Sequence, residues 1–334
     1  MQDKEATNIP PDETNALTIA GYEVLPGDKT IIGLNVGSLP SDTKIYINVF
    51  VFRGEEPGPV MLVLGGIHGD EINGIEIVRR SIESGVYKQI TKGTVIAIPL
   101  LNVFGFINFS RDVHDGKDVN RSFPGNSKGS LASRVAHALT NGVLPVVDFG
   151  IDFHTGGRGR FNYPQLRCTT GSEESFKLAR IFGAPYIVEK PVINKSLREV
   201  SGKMGIPMVV YESGESQRLD GHGINFGFDG ILNVMRAHGM IDPVDPVKRQ
   251  EQVLIRKSAW IRASASGIFT WTKKSGEFVQ KGEPLGTIKD LFVAREEVIS
   301  SKRSGYIIGH TNTPVVSHGD ALFHIGYDFE ILEE

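Results

Sequence analysis

Four groups of polar residues in this chain have types and spacings suited to metal-assisted chemistry. His68 and Glu71 stand three residues apart in Gly65-Gly-Ile-His-Gly-Asp-Glu71, directly after the apolar run Val60-Met-Leu-Val-Leu. Asp152 and His154 close a second, largely apolar run beginning at Val146. Two histidines and one carboxylate form a common catalytic zinc set that leaves a coordination position for water. Asp152 and His154 share a strand face, because alternate residues do, so Asp152 can steer the imidazole as zinc-bound histidines require. Each piece also has a plain reading: His68 and Glu71 as an incidental capping pair, His154 as a strand cap.

Glu212 ends Pro207-Met-Val-Val-Tyr-Glu212. A carboxylate there serves as an ion-pair partner, a helix cap, or the base that moves a proton from water to a leaving nitrogen. Glu215 is its nearby competitor and ranks below it. Arg111, Asn120 and Arg121 lie on a long irregular stretch, residues 101–129, and such stretches are often functional. Amide hydrolysis needs a cation near the developing oxyanion, and a guanidinium matches a substrate carboxylate. Any one of these arginines can equally be a solvated surface residue. Arg158 and Arg160, just after Gly156-Gly157, are further candidates for positive charge in the pocket.

The elements that must position these residues follow from hydrophobic pattern. A continuous apolar run such as 60–64 suits a strand covered on both faces. Residues 71–84 then read as a helix, with Ile72, Ile75, Val78 and Ile82 at helical intervals, and Gly93-Thr-Val-Ile-Ala-Ile-Pro99 as the next strand. Strand, helix and strand make a parallel crossover. His68 and Glu71 fall outside the carboxyl end of its first strand, the usual ligand side of an open α/β sheet. Gly65, Gly66 and Gly69 permit the tight backbone. Further helices are expected over 131–141, 173–182 and 222–238, and strands over 146–154, 186–189 and 207–212.

Residues 1–15 read as a loose tail, 16–55 as short strands, and 16–245 as one domain. A Pro- and Asp-rich linker spans 242–252 and leads to a β-domain over 250–334. That domain holds an internal repeat: Ser266-Gly267, Val279, Gly282, Leu285 and Ile288 recur as Ser304-Gly305, Val316, Gly319, Leu322 and Ile325. Two such hairpin units resemble biotinyl and lipoyl carrier domains, which present a lysine on the turn between halves. Phe292-Val-Ala-Arg-Glu-Glu-Val298 has none, so the repeat reads as structural, shaping or covering the site.

At 334 residues two domains are the expectation. The 36 basic and 39 acidic residues leave a net charge of -3, which argues against a broad nucleic-acid face. Cys168 is the single cysteine; this excludes an intrachain disulfide and a thiolate zinc cluster, so a metal must use His and carboxylate ligands. The polar N-terminus lacks the core of a signal peptide, and no run approaches the roughly 18 apolar residues that cross a bilayer. A cytoplasmic protein without nucleic-acid or membrane partners is expected, with self-association left open.

Taken together, His68-x-x-Glu71, Arg111, Asp118-Val-Asn-Arg121, Asp152-Phe-His154-Thr-Gly-Gly and Glu212 resemble the succinylglutamate desuccinylase/aspartoacylase family of zinc-carboxypeptidase-like hydrolases. The likeness spans roughly residues 45–330 and is strongest to the predicted-deacylase branch, through His154-Thr-Gly-Gly and Asn120-Arg-Ser-Phe-Pro-Gly125. Arg111 and Asn120 stand two residues further apart than in aspartoacylases proper. The resemblance implies an α/β fold: a zinc-carboxypeptidase-like mixed sheet flanked by helices, with a smaller C-terminal all-β, barrel-sandwich-like domain. It implies one zinc ion per chain on His68, Glu71 and His154, Glu212 as general base and acid, and Arg111 as oxyanion stabiliser. Asn120 and Arg121 would hold the carboxylate of a small N-acyl substrate whose amide is cleaved. Two alternatives are a metallocarboxypeptidase acting on peptides and a non-catalytic binding protein. These residues define a reaction and leave its substrate open.

Overall fold

The run at 60–64 divides its side chains between two cores: Val60, Leu62 and Leu64 enter one, Met61 and Val63 the other. That division is what a strand covered on both faces requires. A computed structural model describes residues 15–243, 251–292 and 295–333. Most of the expected tail (1–14) and most of the expected linker (244–250) lie outside the described residues.

The first half of the chain forms β1 (Leu17–Ile19), β2 (Tyr22–Val24), β3 (Lys29–Ser38), β4 (Lys44–Arg53), β5 (Glu56–Gly65), α1 (Ile72–Glu83), β6 (Lys92–Ile98), α2 (Val103–Ile107) and α3 (Leu131–Gly142). Next come β7 (Phe149–Gly156), β8 (Arg160–Thr169), α4 (Glu173–Phe182), β9 (Tyr186–Lys190), α5 (Leu197–Lys203), β10 (Met208–Glu215) and α6 (Gly221–Ala237). The C-terminal region supplies β11 (Gln252–Arg262), β12 (Gly267–Trp271), β13 (Phe278–Val279), β14 (Pro284–Lys289), β15 (Glu296–Ser300), β16 (Gly305–Thr311), β17 (Val315–Val316) and β18 (Ala321–Leu332). The four expected helices are α1, α3, α4 and α6. Strand β8 and helix α5 fall where the sequence reading expects neither.

Twelve strands make one mixed sheet in the order β13-β16-β18-β11-β9-β8-β10-β7-β5-β6-β4-β3. Helices α1, α4 and α6 share a core with one face through Ile77, Val78, Leu178, Phe182, Ile231 and Val234. On the other face Leu131, Val135 and Leu139 of α3 share a core with Leu62 and Leu64. Strands β6, β5, β7 and β10 run parallel. The chain leaves β5 through α1 to β6 on one side and later returns to β7 on the other. This reversal opens a crevice at the carboxyl ends of β5 and β7, where open α/β sheets bind ligands.

The repeat positions Val279, Leu285, Ile288, Val316, Leu322 and Ile325 meet in a hydrophobic cluster of their own. Gly282 and Gly319 hold matching left-handed turns at φ +87° and +92°, a conformation that favours glycine. Strands β12, β14, β15 and β17 form a separate four-stranded sheet. Where the sequence reading sets this region off by a linker, the backbone is continuous with the main sheet: β11 pairs in parallel with β9, and β16 pairs with β8. No described helix is long and apolar enough to cross a membrane.

Candidate metal centre and active site

His68 leaves the end of β5 on a turn shaped by two glycines. Gly66 adopts φ +62°, and a Cβ on Gly69 would lie 2.0 Å from the backbone of Gly105. Glu71 is the N-cap residue of α1 but makes no cap hydrogen bond; its carboxylate turns back into the crevice. Oε1 lies 2.8 Å from His68 Nδ1, and Oε2 lies 2.8 Å from His154 Nδ1. The two Nδ1 atoms are 3.1 Å apart. Oε1 also accepts from Arg111 Nη1 at 3.0 Å, and Oε2 from the Thr155 amide at 3.1 Å.

Each imidazole is backed by a carboxylate on its far nitrogen. Asp152 Oδ2 sits 2.8 Å from His154 Nε2, and Asp118 Oδ1 sits 3.2 Å from His68 Nε2. A carboxylate acceptor at Nε2 fixes the neutral ring as the Nε2–H tautomer, which leaves Nδ1 as a bare lone pair. Two such lone pairs facing each other beside a carboxylate repel unless a proton or a cation lies between them. Donors held by one tetrahedral zinc at ordinary bond lengths stand about 3.3 Å apart, close to the observed spacing. The N, N, O donor set and its buried position fit zinc.

The electrostatics agree. Burial opposes ionisation of Glu71, but His68 and His154 outweigh it and hold the carboxyl well below the ordinary range. Burial pulls His68 down, yet Glu71 and Asp118 raise it on balance. Burial likewise pulls on His154, and Asp152 and Glu71 carry it well above the ordinary histidine value.

Glu212 is the register partner of His154 across the parallel pair β10 and β7. Its Oε1 pairs with Arg167 Nη1 at 2.8 Å and its Oε2 accepts from Asn162 Nδ2 at 2.8 Å. Both fixing residues come from β8, the antiparallel neighbour of β10. Glu215 instead pairs with Asn312 and Arg218, away from the cavity walls.

A cavity of about 200 Å³ joins these groups, lined by His68, Glu71, His154, Glu212, Arg111, Asn120 and Arg121 among others. All seven residues singled out from sequence thus share one cavity. Arg111 bridges Glu71 and Asp118, with Nη2 3.0 Å from Asp118 Oδ2. Asn120 Oδ1 accepts from the Leu197 amide at 2.9 Å and ties the loop to α5. Arg121 donates to the Asn120 carbonyl at 2.6 Å. Arg160 lines the cavity; Arg158 is exposed and does not.

Sequence reasoning assigned no role to Asp118 and did not single out Asn162, Arg167, Arg198 or Trp260. Arg167 and Asn162 reach Glu212 only through strand pairing between positions 45 or more residues apart. Arg198 had a local signal: Ser196-Leu-Arg-Glu199 is a capping-box pattern, and the Ser196 hydroxyl does accept from the Glu199 amide.

Comparison with known proteins bears on this arrangement. Residues 57–238 match the succinylglutamate desuccinylase/aspartoacylase catalytic domain. The chain is 25% identical over 288 residues to the N-alpha-acetyl-L-2,4-diaminobutyric acid deacetylase of Halomonas elongata, covering 81% of this chain and 82% of that protein. A succinylglutamate desuccinylase/aspartoacylase from Rhodobacter sphaeroides superposes with a TM-score of 0.77 at 24% identity, over 98% of this chain and 99% of that one. The product-bound ectoine utilization protein EutE (DoeB) from Ruegeria pomeroyi gives 0.79 at 21% identity, over 94% and 99%. These two structures share the fold; the match over residues 57–238 takes in His68, Glu71, His154 and Glu212 and leaves one conclusion. The chain belongs to the succinylglutamate desuccinylase/aspartoacylase family.

Proposed function

We propose that this protein is a zinc-dependent deacylase that hydrolyses the amide of a small N-acyl amino acid. The observation that carries the reading is the convergence of two histidine Nδ1 atoms and the Glu71 carboxylate beside Glu212 in one small cavity. The likeness to the deacetylase of Halomonas elongata supports an amide as the scissile bond. Zinc, when bound by His68, Glu71 and His154, supplies polarisation of the acyl carbonyl and a water of lowered pKa.

The chain's own residues do the rest. Glu212 takes a proton from the attacking water and returns it to the leaving nitrogen. Arg167 and Asn162 hold its carboxylate still while each oxygen keeps a lone pair free. Arg111 spends two of its five donors on Glu71 and Asp118; the remainder serve the developing oxyanion. Asn120 has its carbonyl oxygen occupied by Leu197, so its amide donors, with the Arg121 guanidinium, clamp a substrate carboxylate.

The cavity of about 200 Å³ is smaller than the roughly 300–1,000 Å³ of pockets for drug-sized ligands. This favours a small acylated amino acid over a peptide, and hence a deacylase over a carboxypeptidase. The test is a panel of N-acetyl and N-succinyl amino acids and short peptides given to zinc-loaded protein. An amine released from an N-acyl amino acid, abolished by a chelator and restored by zinc, is expected. Zinc-loaded protein that binds the panel without turnover would overturn the reading in favour of a binding protein, and faster trimming of peptides in favour of a carboxypeptidase.

A further inference from the structure

A second groove lies between β3 and α3, and it shares no lining residue with the cavity at the candidate metal centre. The turn between β1 and β2 adds Ala20 and Tyr22 to its wall. It encloses about 550 Å³, within the roughly 300–1,000 Å³ typical of small-molecule pockets. Leu34, Val36 and Ala138 give it an apolar side. Among the described residues no aspartate, glutamate or lysine lines it.

Its polar groups are mostly donors without partners. Arg134 of α3 makes no ion pair and no side-chain hydrogen bond among the described residues, and its Nε is buried without an acceptor. The guanidinium stands against Gly37, where a Cβ would lie 3.3 Å from Nη2. Strand β3 bulges here: Gly37 adopts φ +146°, and its amide donates to Asn35 Oδ1 at 3.1 Å. With that oxygen occupied, Asn35 has its amide donors left over. On the helix, Asn141 Nδ2 lies 2.8 Å from His137 Nδ1 and 3.2 Å from the His137 carbonyl. A carbonyl only accepts, so the amide nitrogen donates to both and Nδ1 is an acceptor. The neutral ring then carries its proton on Nε2, which has no partner among the described residues.

A buried donor without an acceptor costs stability, and no described contact offsets that cost at Arg134. Hydration satisfies a lone surface arginine. It gives no reason for a cation, a ring N–H and an amide NH₂ around one acid-free groove with an apolar side. We propose that this groove binds a small organic anion, its oxyanion head held by Arg134, His137 and Asn35 and its apolar body lying on Leu34, Val36 and Ala138. Carboxylate and phosphate heads offer these donors the same charged oxygens. The inference does not rest on the deacylase reading, because the groove lies apart from Glu212 and the candidate metal ligands.

The cavity at the metal centre also holds arginines, so the readout has to be local. The full chain, labelled with carbon-13 at histidine Cε1, is titrated at fixed pH with hexanoate, hexanamide, phenyl phosphate and inorganic phosphate. The His137 ring signal, assigned by its loss in His137→Gln, is followed by NMR. Hexanoate or phenyl phosphate should move it saturably, and the stronger of the two identifies the head. Hexanamide, the neutral isostere of hexanoate, should bind about tenfold or more weakly, the scale of a charge-assisted contact. Inorganic phosphate should bind more weakly than phenyl phosphate, since it leaves the apolar side uncovered. Arg134→Gln should weaken the preferred anion by about tenfold or more.

No shift with any of the four probes, equal binding of hexanoate and hexanamide without a response to phenyl phosphate, or unchanged binding in R134Q would overturn the site. If R134Q fails to fold, Asn35→Asp decides: it keeps the acceptor for the Gly37 amide and sets a negative charge beside the head. Loss of anion binding in N35D supports the proposal, and wild-type binding overturns it. A wild-type dimer that R134Q turns into a monomer, with no probe bound, would assign the groove to a second copy of the chain instead.

Discussion

Each histidine of the candidate centre is backed by a carboxylate that lies outside the cluster of possible metal ligands. Asp118 and Asp152 occupy the outer ring nitrogens and turn the inner ones toward Glu71. In the metal-free protein the sum of burial and neighbouring charge leaves both imidazoles with raised pKa values, so they hold protons at pH values where a free histidine does not. Zinc must displace those protons. Apparent zinc affinity should therefore rise with pH, by up to about tenfold per pH unit for each proton displaced. Competition with a chromogenic chelator across about pH 5.5–8 measures the slope, and a flat profile would contradict the proton-filled centre. In the proposed mechanism Glu212 serves the chemistry and not the ligand set. Glu212→Gln should retain zinc and lower kcat by about 10²- to 10⁴-fold; turnover near wild type in a zinc-loaded variant would remove it as the base.

At the scale of elements, one close approach holds the centre together. The His68 turn passes so near α2 that a side chain on Gly69 would meet the backbone at Gly105 and Phe106. Backbone cannot move aside as the tip of a flexible side chain does. Gly69→Ala should destabilise the fold by about 1–3 kcal/mol, the usual scale of overpacking, and weaken zinc binding by shifting His68. Denaturant unfolding and metal content would show it; a variant matching wild type in both would mean the turn is not constrained. The strands are equally specific. Asn162 and Arg167 meet Glu212 because β8 runs antiparallel beside β10, so one residue of register slip would turn them to the other face.

For the molecule as a whole, the C-terminal region helps to build the candidate site. Strand β11 continues the sheet beyond β9 and carries Trp260 into the cavity wall, while β16 pairs with β8 at Asn162. Removing residues 244–334 would strip β9 and β8 of these partners and expose Tyr186 and Val188, which are buried with Val253, Ile255 and Ile308. A chain ending at 243 should aggregate or bind zinc weakly, as judged by size-exclusion chromatography and metal content. A folded, zinc-binding fragment would show that the catalytic region stands alone.

Local chemistry made much of this legible from sequence. The parallel crossover, four helices and the donor types follow from hydrophobic period and from residues placed at strand ends, and both signals are local. His68, Glu71, His154 and Glu212 stand out because a polar group closing an apolar run has few structural uses. Tertiary structure alone decided which partners they receive. Asp118 behind His68, Arg167 and Asn162 on Glu212, and Arg198 in the cavity wall depend on strand order and loop docking, and no local period encodes a contact between distant segments. The donor set of the candidate site is thus written in the chain, whereas the surroundings of its cavity emerge only when β8, α5 and β11 are brought together.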